Sequence, residues 1–243
     1  MSHSPSLSVA IIAHNEEKNL PRLLSSLKFA DEIVVVENDS TDQTVELAKN
    51  HGAKVFSHHW EGYANQRNFS ITHTTSDWVL IVDADEVVSE ILATEIRQVI
   101  TQNNRDGYLL PTRNFIGNRS LNHGGWYPDW HLRLVRRDLA VYHEKAIHEN
   151  IDGITNVGHL KSPLLHYTYD SIYQWIEKAN HYTTLEVAKK PFSLMRLVLK
   201  PPATFIRSYI FWSGWRDGIL GFIASVMGSW YAFVSETKRW EKG

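Results

Sequence analysis

Five consecutive large apolar residues, Trp78 to Val82, lead directly into Asp83-Ala84-Asp85-Glu86, which contains three carboxylates. An unbroken apolar run of this length predicts a strand buried on both faces, as in parallel sheets, whose carboxyl ends bind ligands. Asp83 and Asp85 are two residues apart, so in an extended chain they project to the same side and could meet a divalent ion and a ribose or diphosphate. The segment therefore indicates a metal and nucleotide site. The alternative is that these acids only cap the helix predicted over Val87–Ile100.

Strand and helix patterns alternate along the first 100 residues. The predicted strands are Ser8–Ala13, Glu32–Val36, Lys54–Phe56 and Trp78–Val82. The predicted helices are one with an apolar stripe from Leu20 to Leu27 and Asn15 as its N-cap, then Thr44–Asn50, Tyr63–Thr72 and Val87–Ile100. This alternation predicts an α/β fold, with a mostly parallel sheet sandwiched by helices.

Polar clusters follow three of the predicted strands. Glu16 follows the first strand, Glu37 the second, and Asp83 with Asp85 the fourth. Parallel strands bring their carboxyl ends to one edge, and helix capping does not require four carboxylates at one crevice, so we expect a nucleotide site there. Neither G-x-G-x-x-G after the first strand nor G-x-x-x-x-G-K-[ST] occurs, which disfavours dehydrogenases and P-loop NTPases. Arg67 could bind a diphosphate, or could equally be a surface ion-pair partner.

The distribution of charge divides the chain. Residues 1–160 hold 14 Lys and Arg against 21 Asp and Glu, a net charge of −7, whereas residues 161–243 hold 11 against 6, a net charge of +5. A basic, aromatic-rich tail favours an anionic partner such as a membrane or a nucleic acid. The absence of cysteine excludes disulfides, thiolate zinc sites and a cysteine nucleophile.

The tail suits a membrane surface. Gly218 to Ser235 is an uncharged run of 18 residues, at the lower limit for a spanning helix. The cations and tryptophans around it are Arg207, Arg216, Lys238, Arg239, Lys242, Trp212, Trp215, Trp230 and Trp240. Such a mixture suits the headgroup layer, so we expect docking on an anionic membrane surface rather than spanning, and no nucleic-acid partner. The alternative is an amphipathic helix packed on the protein's own core or on a second subunit.

Four segments, Ser8–Glu16, Val36–Thr44, Gln66–Asn68 and Leu80–Glu86, together resemble glycosyltransferase family 2 over about the first 150 residues. The chain is similar in particular to the bacterial branch that adds a hexose to the inner core of lipopolysaccharide. That likeness is carried by Trp126–Asp129, Leu132–Leu134 and His148-Glu149. Two positions depart from the family pattern, with Glu37 in place of Asp and Gln43 in place of Gly.

The resemblance implies a GT-A fold, a nucleotide-diphosphate sugar donor, a divalent cation (Mg²⁺ or Mn²⁺) and inversion at the anomeric carbon. By this resemblance the donor-binding residues are Ala13, Asn15, Glu16, Glu37, Asp42, Arg67, Asp83 and Ala84. We expect the nucleotide-sugar-binding and catalytic domain over residues 1–165 and a helical, membrane-associating and acceptor-proximal region over residues 166–243. The longer side chain of Glu37 leaves its contact with the base of the nucleotide open.

An inverting transfer needs a base for the acceptor hydroxyl and a cation for the departing diphosphate. Asp85 is the candidate metal ligand, and His148 could complete the metal shell. Asp129 is the first candidate for the base and Glu149 the second, the alternative for Asp129 being a turn residue. We expect an enzyme at the inner face of the cytoplasmic membrane that moves a hexose, glucose from UDP-glucose, to a lipid-linked or lipopolysaccharide-core acceptor. The alternatives are a nucleotidyltransferase and a non-catalytic, membrane-attached scaffold that binds nucleotide sugars.

Overall fold

The computed structural model describes residues 4–143, 150–151, 153–187 and 190–242. Within these residues the strands are β1 (Leu7–Ala13), β2 (Glu32–Glu37), β3 (Lys54–Ser57), β4 (Trp78–Asp83), β5 (Glu86–Val88), β6 (Gly107–Ile116), β7 (Arg119–Ser120), β8 (Asp129–Arg136), β9 (Tyr142–His143), β10 (Asn150–Ile151), β11 (Val157–His159) and β12 (Leu164–Tyr169). The α-helices are α1 (Leu20–Ser26), α2 (Thr44–Asn50), α3 (Tyr63–Thr72), α4 (Glu90–Gln102), α5 (Ile172–Leu185), α6 (Leu194–Ile206) and α7 (Gly218–Lys242). A π-helical turn (Arg207–Phe211) and a 3₁₀ turn (Gly214–Asp217) lie between α6 and α7.

Ten of the described strands form one sheet in the order β3-β2-β1-β4-β8-β6-β12-β5, with β7 and β11 also paired to β6. The first four strands of this order are parallel, as the alternating pattern predicts. Beyond β4 the sheet is mixed, because β8 pairs antiparallel with β4 and β12 pairs antiparallel with β5. The predicted α/β fold is therefore confirmed, with its parallel portion confined largely to the N-terminal strands.

The core beneath the parallel strands follows from their composition. Val34, Val35 and Val36 of β2 are fully buried, as a strand between two parallel neighbours requires. Three residues of α1, Leu20, Leu23 and Leu24, pack into the same core as Val35, together with Leu27 just after the helix. The apolar stripe that predicts α1 is thus the face of the helix that lies on the sheet.

Two helix starts differ from simple capping expectations. Helix α1 begins at Leu20 with Asn19 at its N-cap position, so the prediction of Asn15 as the N-cap is wrong. Asn15 has a left-handed φ of 55°, and its side chain turns to the neighbouring loop instead. Helix α4 is capped by Ser89, whose Oγ accepts a hydrogen bond from Leu92 N at 3.2 Å. The acids at 83–86 therefore do not cap this helix, and the capping alternative fails.

The chain divides into two compact units. The first comprises Met1–Thr112 and Trp130–His166, and the second comprises Arg113–Asp129 and Tyr167–Gly243. The predicted division at residues 165 and 166 falls beside the last of these junctions. Arg113–Asp129, which that prediction places in the first domain, lies in the second unit.

In the second unit α6 and α7 form an antiparallel hairpin. Ser193 N donates to Glu236 Oε2 at 3.3 Å near one end, and Ser229 Oγ donates to the Pro201 carbonyl at 2.9 Å further along. Among the described residues one helical segment, Gly214–Lys242, is long and apolar enough to cross a membrane, and a third of its most apolar window is buried in the protein. Helix α7 thus carries both buried and exposed positions, whereas no residue of α6 is buried.

Candidate active site

The carboxyl ends of β1, β2 and β4 reach one edge of the sheet in register. Ala13 of β1 lies opposite Glu37 of β2, and Ile12 lies opposite Asp83 of β4. Neighbouring strands are about 4.8 Å apart, so these positions adjoin one another. The structure brings together Ala13, Glu37 and Asp83, three of the predicted donor-binding residues, where α/β sheets bind ligands.

The loops that follow β1 and β2 are tied to each other by hydrogen bonds. Thr41 N donates to Asn15 Oδ1 at 2.8 Å. Asp42 accepts from Glu17 N at 3.1 Å and from Thr44 N at 3.0 Å. Asn15 and Asp42, both predicted donor-binding residues, therefore fix the shape of these loops.

Two further carboxylates of the predicted site are Glu37, the last residue of β2, and Glu16, in the loop after β1. Glu37 is only 6% exposed and accepts from Ser40 N at 2.9 Å and from the Ser57 hydroxyl. Burial opposes ionisation of Glu37, but these hydrogen bonds outweigh it and lower its pKa. Glu16 accepts from Asn19 Nδ2 at 2.8 Å. Glu37 is thus a charged, internally bonded part of the edge.

Asp83 is held between two arginines. Arg67 donates to Asp83 Oδ1 at 2.8 Å, and Arg133 of β8 donates to Asp83 Oδ2 at 2.9 Å. The arginine side chains are 11% and 12% exposed. Burial opposes the charge on Asp83, but the two guanidinium groups hold the pKa of this carboxyl well below its usual range. Both carboxylate oxygens are therefore engaged within the protein.

Glu86 extends this cluster into the interior. Its side chain is fully buried and accepts from Asp83 N at 2.7 Å and from Arg133 at 3.1 Å. Burial, together with the adjacent charge of Asp83, raises the pKa of Glu86 in spite of Arg133. The arginine thus joins two carboxylates that would otherwise repel each other.

Asp85 faces a histidine that the sequence did not indicate. His166 of β12 lies opposite Glu86 of β5, and its Nε2 is 3.3 Å from Asp85 Oδ2. The two side chains are 25% and 22% exposed. Burial disfavours the charged imidazole, but the hydrogen bond and charge of Asp85 outweigh it and raise the pKa of His166. Ala84, between the two aspartates, is buried.

The residues at this edge of the sheet could supply only some of the ligands that a divalent cation needs. Across the described portions of the chain, no three His, Asp or Glu side chains form a group that could hold a metal ion by themselves. Mg²⁺ in nucleotide enzymes is held by one or two carboxylates together with substrate phosphates. Asp85, with His166 beside it, fits a cation that takes its other ligands from a diphosphate, whereas the oxygens of Asp83 are already engaged.

The predicted base lies in the second unit. Asp129 is exposed at the start of β8 and follows Trp126, Tyr127 and Pro128. Trp126 packs edge-on against Trp175 at 5.4 Å between ring centroids, so it is part of the core of this unit. The other predicted residues, His148 and Glu149, lie outside the described residues.

Arg133 and His166 are the site residues that sequence reasoning missed. Arg133 sits between Leu132 and Leu134 in a strand, where alternation suggests a solvent-facing position. A weaker signal was available, because the three carboxylates of residues 83–86 need cationic partners and Arg67 supplies only one.

The family model for "Glycosyl transferase family 2" matches residues 8–152. The chain belongs to glycosyltransferase family 2. Among curated family members, an uncharacterized glycosyltransferase of Rickettsia typhi is 32% identical, over 96% of this chain and 86% of its own length. The lipopolysaccharide core biosynthesis glycosyltransferase LpsC of Rhizobium meliloti is 30% identical, over 97% of this chain and 92% of its own length. The chain is thus similar to glycosyltransferases along nearly its whole length.

Solved structures that match nearly the whole chain show the GT-A fold that the resemblance implies. The mannosyltransferase PcManGT from Pyrobaculum calidifontis, solved with GDP-Man and Mn²⁺, gives a TM-score of 0.56 at 14% identity, covering 100% of this chain and 89% of that one. The S. aureus TarS 1–349 structure with UDP-GlcNAc gives 0.53 at 16% identity, covering 97% and 92%. The prediction of a GT-A glycosyltransferase is confirmed, and the nucleotidyltransferase alternative is disfavoured.

Proposed function

We propose that this glycosyltransferase transfers a hexose, glucose from UDP-glucose, with inversion, to a lipid-linked or lipopolysaccharide-core acceptor at the inner face of the cytoplasmic membrane. The observation that carries the proposal is the pairing of Asp85 with His166 beside an Asp83 that two arginines neutralise. LpsC, a relative over nearly the whole chain, supports the class of acceptor.

On the donor side, the arginines prepare the site for an anionic ligand. With Arg67 and Arg133 bound to Asp83, this carboxylate presents little uncompensated charge to a diphosphate. Arg67 therefore acts through Asp83 and not as a free diphosphate ligand. The hydrogen bonds of Asn15 and Asp42 preorganise the loops after β1 and β2, where the nucleoside would bind.

Asp85 and His166 would hold the divalent cation, Mg²⁺ or Mn²⁺, which when bound stabilises the negative charge on the departing diphosphate. Asp85 is partly exposed, as a ligand for an incoming cation must be. The hydrogen bond with His166 keeps the Asp85 carboxylate oriented, and His166 would bind the cation in its neutral form.

On the acceptor side, a carboxylate takes the proton of the attacking hydroxyl. Asp129 suits this role because it is a carboxylate exposed at the start of a strand. Glu149 remains the second candidate.

The test is nucleoside diphosphate release from UDP-glucose, measured with and without lipopolysaccharide-core acceptor and with Mg²⁺ or Mn²⁺. We expect Asp85→Asn to lower release by at least about 100-fold because the cation loses its protein carboxylate. Asp129→Asn should lower acceptor-dependent release by about 100-fold or more while leaving donor binding intact. Donor binding is measured separately by calorimetry.

Asp138→Asn, which removes an exposed carboxylate from the turn after β8, is the matched control and should retain activity. Full activity of Asp85→Asn would contradict the proposed cation site. A wild-type protein that binds UDP-glucose but releases no UDP with any acceptor would support the scaffold alternative and overturn the proposal.

A further inference from the structure

The end of the α6–α7 hairpin, here called the hairpin tip (residues 207–222), exposes large apolar side chains. The residues concerned are Ile210, Phe211, Trp212, Trp215, Ile219 and Phe222, each 47–77% exposed. Isolated exposed apolar residues are ordinary, but six within 13 positions at the end of one hairpin are typical of an interaction surface.

The charges around the tip favour an anionic partner. The charged residues of the tip are Arg207, Arg216 and Asp217. The Asp217 side chain is only 6% exposed, whereas Arg207 and Arg216 are exposed. The Arg207 guanidinium lies over the Trp212 ring at 4.7 Å. Apolar side chains flanked by arginine and tryptophan complement the acyl and headgroup layers of an anionic bilayer.

The hairpin tip is fastened to the segment that leads to Asp129. Asp217 accepts hydrogen bonds from Asn122 N and His123 N, both at 2.8 Å, and its Oδ1 lies 2.7 Å from His123 Nδ1. Gly124 N donates to the Trp212 carbonyl at 2.8 Å. The loop of residues 122–125 is thus held by the same residues that form the tip.

Gly125 shows how close this contact is. A Cβ at Gly125 would lie 2.5 Å from the Trp212 ring, and the residue has φ +87°. One face of Trp212 therefore packs on the loop, while the side chain remains 49% exposed. The tip therefore packs closely on the loop that precedes Trp126 and Asp129.

We propose that the hairpin tip docks on an anionic lipid bilayer and, through Asp217 and Trp212, orders the loop of residues 122–125. The docking proposal rests on the exposed apolar side chains and the exposed arginines of the hairpin tip. The loop's role on the acceptor side rests on the proposed function. Lipid contact would then order the loop of residues 122–125 at the membrane surface, where a lipid-linked acceptor is presented.

The first experiment measures co-sedimentation of the full chain with vesicles of phosphatidylcholine containing one quarter phosphatidylglycerol, without donor or acceptor. Because no turnover is needed, its outcome is independent of the transferase activity. We expect Phe211→Ser/Ile219→Ser to weaken binding by at least about tenfold and Arg207→Gln/Arg216→Gln to abolish the preference over pure phosphatidylcholine. The matched control is Ile91→Ser, which removes an equally exposed isoleucine (74%) from α4.

The second experiment measures hydrogen exchange at the amides of residues 122–125. Vesicles should slow exchange in the wild type, whereas Asp217→Asn should bind vesicles and lose this protection. Wild-type binding by Phe211→Ser/Ile219→Ser would overturn the docking proposal, and unchanged exchange on docking would overturn the coupling. A concentration-dependent dimer that these substitutions disperse, without vesicle binding by the wild type, would assign the tip to an interface between copies.

Discussion

At the scale of single residues, the central finding is that Asp83 and Glu86 share one arginine. Arg133 reaches Asp83 at 2.9 Å and Glu86 at 3.1 Å, and Glu86 is fully buried. Removing one member of a buried ion pair is costly because the remaining charge stays uncompensated. Arg133 is therefore a positioning residue that holds the acidic segment in shape.

We predict that Arg133→Met lowers the free energy of unfolding by about 3 kcal/mol, because it leaves Glu86 and Asp83 adjacent without this cation. Arg136→Met is the comparison, since Arg136 is one-third exposed and pairs with Asp106 at 3.4 Å. It should cost about 1 kcal/mol or less. Urea denaturation of both variants is the measurement, and equal losses would contradict the buried-pair interpretation.

The sequence predicts the site residues that follow a recognisable strand, but not the residues that reach the site from strands much later in the chain. Asp83 and Asp85 follow an apolar run, so their place at a strand end can be derived from neighbours in sequence. Arg133 and His166 come from β8 and β12, and their proximity depends on antiparallel pairing that no local pattern encodes. Asp83 as a donor ligand and Asp129 as the base stay predictions.

At the scale of elements, α2 and α3 have the predicted bounds, because periodicity and end signals agree over both segments. Elements with weak signals were missed. β5 has three residues and occupies the start of the predicted helix Val87–Ile100, whose true start is fixed by the Ser89 cap. Short antiparallel strands depend on their partners, so a single sequence shows them poorly.

The amino ends of the parallel strands are joined by one carboxylate, Glu32. It accepts from Lys54 Nζ of β3 at 2.6 Å, from Thr75 N before β4 at 2.8 Å, and from the Ser8 hydroxyl of β1. Burial disfavours its charge, but these bonds prevail and lower the pKa of Glu32 to about 2. Glu32 therefore connects elements on the side of the sheet away from the site.

This gives a pH prediction with a definite sign. Because the pKa of Glu32 is lower in the folded chain than its ordinary value of 4.5, its stabilising effect is complete above pH 4.5 and is lost as the pH falls towards 2. The stability difference between wild type and Glu32→Gln should therefore shrink over this range. Urea midpoints from pH 7 to pH 2.5 check it, with Glu46→Gln on α2 as an exposed control. A difference that is constant with pH would be inconsistent with the role of Glu32.

The contact between the loop of residues 122–125 and the hairpin tip also has a clean test. Gly52 and Gly125 have similar φ values of +81° and +87°, but a Cβ at Gly52 meets nothing within 4 Å. Gly52→Ala should cost about 1 kcal/mol for the left-handed backbone alone. Gly125→Ala should cost about 2 kcal/mol more, because the methyl group overlaps Trp212. Thermal unfolding of both variants measures this difference, and equal losses would argue against close packing.

At the scale of the whole molecule, the chain does not divide at a single point. Arg113–Asp129 belongs to the same unit as the C-terminal helices. Its residues Ile116 and Leu121 share a core with Trp175, Leu220 and Ala224. The sequence offers no sign of this, because the segment has no strong periodicity and its partners follow much later. Deleting α6 and α7 would therefore remove part of that core, so surface substitutions are the better way to test the hairpin.

The arginine that joins Asp83 to Glu86 comes fifty residues after Asp83 in the chain. During synthesis the parallel strands β1 to β4 leave the ribosome first and can pair with one another. The acidic residues Asp83 and Glu86 gain their second guanidinium group, that of Arg133, only when β8 emerges. A fragment that stops before residue 133 would thus contain β1 to β4 but would lack the guanidinium group that pairs with Asp83 and Glu86. The ion pairs of the site can therefore be completed only after the later half of the chain has been translated.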